Sequence, residues 1–210
     1  MRGHHGVAAL IGFTLLVACA VGIAAEPRTA AEAIELGDKA RAEGNLDTAL
    51  SLYTEAIRLK PEDPTGYGRR GLLYADRGDF DKAIADYTEA LHLDPKSAAT
   101  FTLRGAAYST KGDFDKTIAD CSEAIRLNPK DGFAYHLRAC AHSEKGDLDK
   151  TIADCSEAIR LTEQPDAAMY YNRGNSYKRK GEMEKAIRDL TKAIQLDRNF
   201  GTAYFARGCA

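Results

Sequence analysis

Between Gly44 and Asp197 the apolar residues come in blocks, each opened by a glycine and most closed by a proline. In the block after Gly78, residues Phe80, Ala83, Ile84, Tyr87, Ala90 and Leu91 fall at intervals of one, three and four. That spacing predicts one buried face of a helix over about Phe80–Leu93. A second helical pattern precedes it, over about Thr65–Arg77. Gly78 ends that first helix, because glycine enters the left-handed conformation without steric cost. Asp79 is placed to cap the next helix, and Asp94-Pro95 stops it, since proline cannot continue the hydrogen-bond ladder. Thr29-Ala30-Ala31-Glu32 has the form of a capping box at the start of an earlier helix.

The block is a repeat. Its copies begin at Gly44, Gly78, Gly112, Gly146 and Gly181, spaced 34, 34, 34 and 35 residues apart. GDFDKTIADCSEAIRL and GDLDKTIADCSEAIRL, the third and fourth copies, differ only at Phe114 and Leu148. Each copy reads as the turn and second helix of a two-helix unit. The units cover about residues 30–63, 64–97, 98–131, 132–166 and 167–200, with part of a sixth over 201–210. The extra residue lies between Leu161 and Pro165, and the fourth and fifth units are expected to stack through an altered turn.

Period, helix–turn–helix form and small residues at fixed offsets make the chain similar to the tetratricopeptide repeat family over about residues 30 to 210. The aromatic–small–aromatic pattern of the first helix matches at Tyr67, Gly71 and Tyr74, at Phe101, Gly105 and Tyr108, and at Tyr170, Gly174 and Tyr177. Small residues of the second helix match at Ala49 and Ala56, Ala83 and Ala90, and Ala186 and Ala193. Helices cross closely only where side chains are small. The departures are Ala33 in place of the first aromatic, and Thr117 and Thr151 at the first small site. The resemblance implies an all-α, right-handed superhelical solenoid of stacked antiparallel helix pairs.

One internal pattern lies outside the family's usual residues. Arg70, Arg104, Arg138 and Arg173 precede the middle small residue, as Arg207 does in the sixth unit, where an apolar residue is normal. The second helices carry Asp86, Asp120, Asp154 and Asp189 at one fixed offset. In the first unit the same two places hold Leu36 and Leu52. Sites that are charged together or apolar together suggest contact within each hairpin, an arginine–carboxylate pair replaced once by a leucine pair. Duplication without contact would leave the same pattern.

The N-terminus differs in character. Arg2 and two histidines precede Val7–Ala25, a run without charge, and Glu26-Pro27 follows. This is the form of a signal peptide over 1–25, cleaved after Ile23-Ala24-Ala25, with the solenoid occupying 26–210. Lipidation at Cys19, within Leu16-Val17-Ala18-Cys19, and retention as a membrane anchor are the alternatives. All three readings place the remainder outside the cytoplasm, in the periplasm or secreted.

A formal net charge of -2 and interspersed acids and bases do not suit a nucleic-acid partner. No phosphate loop, nucleophile elbow, HExxH or CxxC pattern occurs, so no catalytic residue, cofactor or metal is expected. His136 and Cys140 share a helix face, but two ligands are too few for a structural metal, and His142 lies off that face. Cys121 with Cys155, and Cys140 with Cys209, occupy equivalent places in different units, too far apart for disulfides. A bridge between non-equivalent sites, such as Cys121 with Cys140, is left open.

The resemblance implies a partner protein or peptide held on the concave face that the first helices line. Carried onto this chain, the groove offsets are Gly68 and Leu72, Thr102 and Ala106, His136 and Cys140, and Tyr171 and Asn175. The basic carboxylate clamp of the chaperone-binding members has no counterpart at those positions. An interaction scaffold is therefore expected in preference to an enzyme. The alternative is the repeat portion of a larger exported enzyme or assembly factor, because the sixth unit stops within its first helix. Its Tyr204 and Gly208 are expected to pack on the fifth unit, leaving an open face for self-association.

Overall fold

A computed structural model of the chain describes residues 27–210. The expected leader over 1–25, its cleavage site and Cys19 lie outside the described residues. Eleven helices and no strand are found among the described residues: α1 (Ala30–Ala42), α2 (Leu46–Leu59), α3 (Pro64–Asp76), α4 (Phe80–Leu93), α5 (Ala98–Thr110), α6 (Phe114–Leu127), α7 (Gly132–Glu144), α8 (Leu148–Leu161), α9 (Ala167–Arg179), α10 (Met183–Leu196) and α11 (Gly201–Gly208). None of them is long and apolar enough to cross a membrane.

Consecutive helices pair into five antiparallel hairpins, and each hairpin stacks on the next. First helices of neighbouring units, α1 to α3 through α7 to α9, also touch one another, whereas second helices do not make comparable contact. The closer spacing of the first helices curves the stack and puts them on its inner side.

Local chemistry accounts for the helix ends. Gly44, Gly78, Gly112, Gly146 and Gly181 all have φ between 78° and 82°, the left-handed region expected at the end of each first helix. Asp113 and Asp147 cap α6 and α8 through the N–H groups of Lys116 and Lys150. Asp79 was expected to do the same for α4 and does not. Its carboxylate turns to Lys82, 2.9 Å away. Thr29 accepts from the Glu32 N–H, and Glu32 returns to the N–H of Arg28 at 2.8 Å, one residue earlier than a strict capping box.

Alanine and a few larger side chains fill the core. Ala49, Ala83 and Ala186 are fully buried where the helices of a hairpin cross. Tyr53 and Tyr87, fully or almost fully buried, fill the place taken by Cys121, Cys155 and Leu190 in later units. A Cβ on Gly71 would sit 2.8 Å from the Tyr87 ring, and one on Gly37 2.5 Å from the Tyr53 ring. Glycine is required where the ring is large.

The fifth unit stacks on the fourth despite the extra residue, α9 packing on α8 as at the other junctions. Thr162 becomes extended, its hydroxyl lies where a Cβ on Gly132 would come within 2.6 Å, and Asp166 caps α9 through the Met169 N–H. The sixth unit differs from expectation. α11 buries Ala203 and Ala206, while Tyr204 is 42% exposed and Gly208 is exposed too. The register explains it: Tyr204 and Gly208 fall where Tyr67 and Gly71 do, and Gly71 meets the second helix of its own hairpin at Tyr87 and Ala83, not the preceding unit.

Candidate functional site

The inner face begins in a cleft of about 270 Å3 between α3 and α5. Thr65, Gly68, Arg69 and Leu72 line one side, and Thr100 and Leu103 the other. Leu72 and Ala106 are half-buried on this surface, as are His136, Cys140, Tyr171 and Asn175 further along.

Four of the groove residues read from sequence have partners that limit what they can offer. Thr102 is buried. Its hydroxyl lies 3.2 Å from the Ala98 carbonyl and 3.1 Å from Asp131 Oδ2, so it ties α5 to the cap of α7 and does not line the groove. Tyr171 packs its ring on Phe200, centroid to centroid 5.1 Å, at the start of α11. His136 and Cys140 meet a residue that the offsets missed: Asn172 Nδ2 is 3.3 Å from His136 Nε2 and donates to Cys140 Sγ at 3.4 Å. Asn172 belongs to the column Arg69, Leu103, Leu137, each just before a repeated arginine, and that adjacency was the available signal. Burial holds His136 below the ordinary imidazole pKa, so at neutral pH it is an uncharged partner for the amide. No group of three His, Cys, Asp or Glu able to hold a metal occurs among the described residues.

Beneath this surface runs a ladder of arginines. Arg70 Nε and Nη2 donate to the two oxygens of Asp86, both at 2.8 Å. Arg104 with Asp120, Arg138 with Asp154 and Arg173 with Asp189 repeat the fork at 2.7–3.0 Å. The remaining nitrogen of each arginine reaches the unit before. Nη1 donates to Thr54, Thr88, Ser122 and Ser156 in turn, at 3.0–3.4 Å, and Arg207 does so to Thr191 at 3.4 Å. Each guanidinium also lies 5.6–5.9 Å from the ring three residues earlier: Tyr67, Phe101, Tyr135, Tyr170 and Tyr204. One arginine thus joins the helices of its hairpin, covers an aromatic ring and binds the neighbouring hairpin. The carboxylate hydrogen bonds hold the guanidinium pKa of Arg70, Arg104, Arg138 and Arg173 above its ordinary value against the opposing effect of burial.

A second series of ion pairs, Arg77–Asp47, Lys111–Asp81, Lys145–Asp115 and Lys180–Asp149, also links successive units. Its aspartates are 81–97% exposed, so solvent screens it and it adds little to stability.

All four cysteines of the described residues are free thiols, which removes the Cys121–Cys140 bridge that the sequence left open. Burial pushes the Cys121 and Cys155 thiols up to about 12. Folded-state values raised above the unfolded ones contribute stability below the ordinary thiol pKa and lose it as pH rises toward 12. At pH 8 an uncharged thiol reagent should modify exposed Cys209 quickly and half-buried Cys140 slowly, with Cys121 and Cys155 reacting only on unfolding. Mass spectrometry of the labelled native protein checks this, and early labelling of Cys121 would contradict the closed hairpin.

A stack of two-helix units with first helices inside and small residues at each crossing defines a helical-repeat solenoid of the interaction-scaffold class. Tetratricopeptide repeat family profiles match residues 34–98, 98–131, 134–165 and 167–200. The chain belongs to the tetratricopeptide repeat family. Among solved structures it is similar to YrrB, described as a tetratricopeptide protein with an unusual peptide-binding site. The TM-score is 0.74 at 22% identity, covering 85% of this chain and 92% of that one. It is also similar to a MamA protein, with a TM-score of 0.72 at 24% identity over 80% of this chain and 92% of that one. A third similar structure is MamA from Desulfovibrio magneticus RS-1, residues 41 to the end, with a TM-score of 0.74 at 21% identity over 83% and 98% of the two chains. At these identities the likeness is one of fold. A comparison with curated protein sequences finds no match.

Proposed function

We propose that the chain is an exported scaffold that holds a segment of a partner protein along the inner face of its first helices. The observation that carries this reading is the cleft between α3 and α5, where Arg69 and Asp94 balance in charge, continued by the half-buried Ala106, His136, Cys140 and Asn172. Small and mildly apolar side chains there leave room for a chain to lie against the helices, and the arginine ladder fixes the spacing of the units beneath. YrrB, described as having a peptide-binding site, supports the same use of the fold. The uncharged run before Glu26 supports export by cleavage, so the mature chain should begin close to Glu26. A lipidated start at Cys19 would replace that with membrane anchoring.

The test places a photoreactive amino acid at Leu72 or Ala106 on the inner face, or at Ala85 or Ala119, exposed positions of the second helices. Cross-linked partners from periplasmic extract are then identified by mass spectrometry. The same partner should be trapped from Leu72 and Ala106 and not from Ala85 and Ala119. Trapping from the second-helix positions alone would put binding on the opposite face and reject the groove.

A further inference from the structure

The two leucines that replace the ladder lie at one end of the stack and open it. Leu36 is 39% exposed, and Leu36, Leu50 and Leu52 line one side-on groove of about 1190 Å3 along α1 and α2. In units two to five the strip around the repeated arginine lies against the second helix of the unit before, whose hydroxyl takes the Nη1 bond. Among the described residues nothing covers the same strip of unit one. Terminal repeats ordinarily turn a polar face outward. Here a polar pair has given way to an apolar one at the only unit of the five whose outer strip the described residues leave uncovered, the reverse of a solvent cap.

The rim narrows what fits. Lys39 on α1 and Glu43 at its C-terminal cap stand one turn apart beside the leucines, both exposed; Glu43 accepts a hydrogen bond from Asn45 Nδ2 at 3.4 Å, and neither has an ion-pair partner among the described residues. A surface bearing a cation and an anion at one helical turn, neither in an ion pair among the described residues, is complementary to itself. A two-fold axis between them brings Lys39 of each copy to Glu43 of the other and sets the leucines of one strip on those of its partner. The groove is also larger than the roughly 300–1,000 Å3 of a small-molecule site, and suits a helix edge.

We infer that this face is a self-association surface, and that two copies of the chain pair end to end through Leu36, Leu50 and Leu52 with reciprocal Lys39–Glu43 contacts. The solenoid then forms a two-fold dimer whose inner faces run outward from the junction.

The experiment uses the chain as the exporting cell releases it, its N-terminus read by mass spectrometry, with mass measured by light scattering and sedimentation from 1 to 100 µM (concentrations chosen about the micromolar range of modest interfaces). The double variant L36R/L52D installs the pair that four other units already carry, so the hairpin keeps a solution native to this chain. Wild type should dimerise within the range. L36R/L52D should be monomeric throughout with an unchanged melting profile. Lys39→Glu and Glu43→Lys should each weaken the dimer at least tenfold, and together restore it, as reciprocal contacts between the two copies require. Wild type that stays monomeric overturns the inference, whether the strip is bare or covered by residues 7–25 of the same chain. A dimer indifferent to L36R/L52D and to both charge variants overturns it as well, since it places the contact elsewhere, for example at α11.

Discussion

Asp120→Ala is expected to lower the stability of the solenoid by about 3–5 kcal/mol, the cost of stranding one member of a buried ion pair. The carboxylate is 8% exposed and receives both forked nitrogens of Arg104, itself 18% exposed. Removing it leaves that guanidinium held only by Thr88 Oγ1 and by the rings of Phe101 and Tyr108. Replacing both residues with leucine should return much of the loss, because a buried pair is often matched by apolar residues of similar volume and unit one already uses Leu36 and Leu52. The control is Lys111→Ala, which removes a pair whose aspartate is 84% exposed and should hardly move the denaturation midpoint. Urea unfolding of the four proteins decides. Equal midpoints for Asp120→Ala and Lys111→Ala would mean the buried ladder carries no more than the surface one.

The second large effect concerns glycines that look alike in sequence. Gly71→Ala and Gly37→Ala put a methyl within 2.8 and 2.5 Å of the buried rings of Tyr87 and Tyr53, and overpacking of this kind costs typically about 1–3 kcal/mol. Gly105→Ala meets Cys121 Sγ at 3.2 Å and should be neutral or slightly stabilising. Unit four already sets Ala139 opposite Cys155 at these places, and alanine gains up to about 1 kcal/mol over glycine inside a helix. Thermal melts of the three variants give the order. A Gly105→Ala protein as destabilised as Gly71→Ala would show that backbone approach, and not ring volume, demands the glycine.

The helices and their boundaries were legible in the sequence because each is set by neighbours close along the chain. Phe80–Leu93 followed from spacing within one helix, and the left-handed glycines from a turn of a few residues. The Arg–Asp pairs were legible for a related reason: both residues vary together between units, and unit one changes both. The partners that cross from one unit to the next were not. Thr54, Thr88, Ser122, Ser156 and Thr191 read as ordinary hydroxyls on a helix surface, and nothing within their own hairpin marks them as acceptors. Thr102 has the offset of a groove residue, yet Asp131, at the border where it caps the next unit's first helix, takes it inside. Tyr171 met Phe200 by the same route. A repeat compared with itself displays its internal contacts and conceals those made across its borders, and a groove lies on those borders.

The arginine ladder also bears on how such a chain can change length. Arg70, Arg104, Arg138 and Arg173 take their carboxylates from their own hairpins, and these four and Arg207 each take a hydroxyl from the hairpin before, so all five preceding hairpins supply a serine or threonine at that place. Excision of residues 112–145 would bring Arg104 to Asp154 and leave Ser156 beneath Arg173, with no charge orphaned at the seam. Recombination between copies of the underlying gene segment can therefore add or drop whole periods without a compensating substitution. Near-identity of the third and fourth copies, differing at Phe114 and Leu148 over sixteen residues, fits such an exchange.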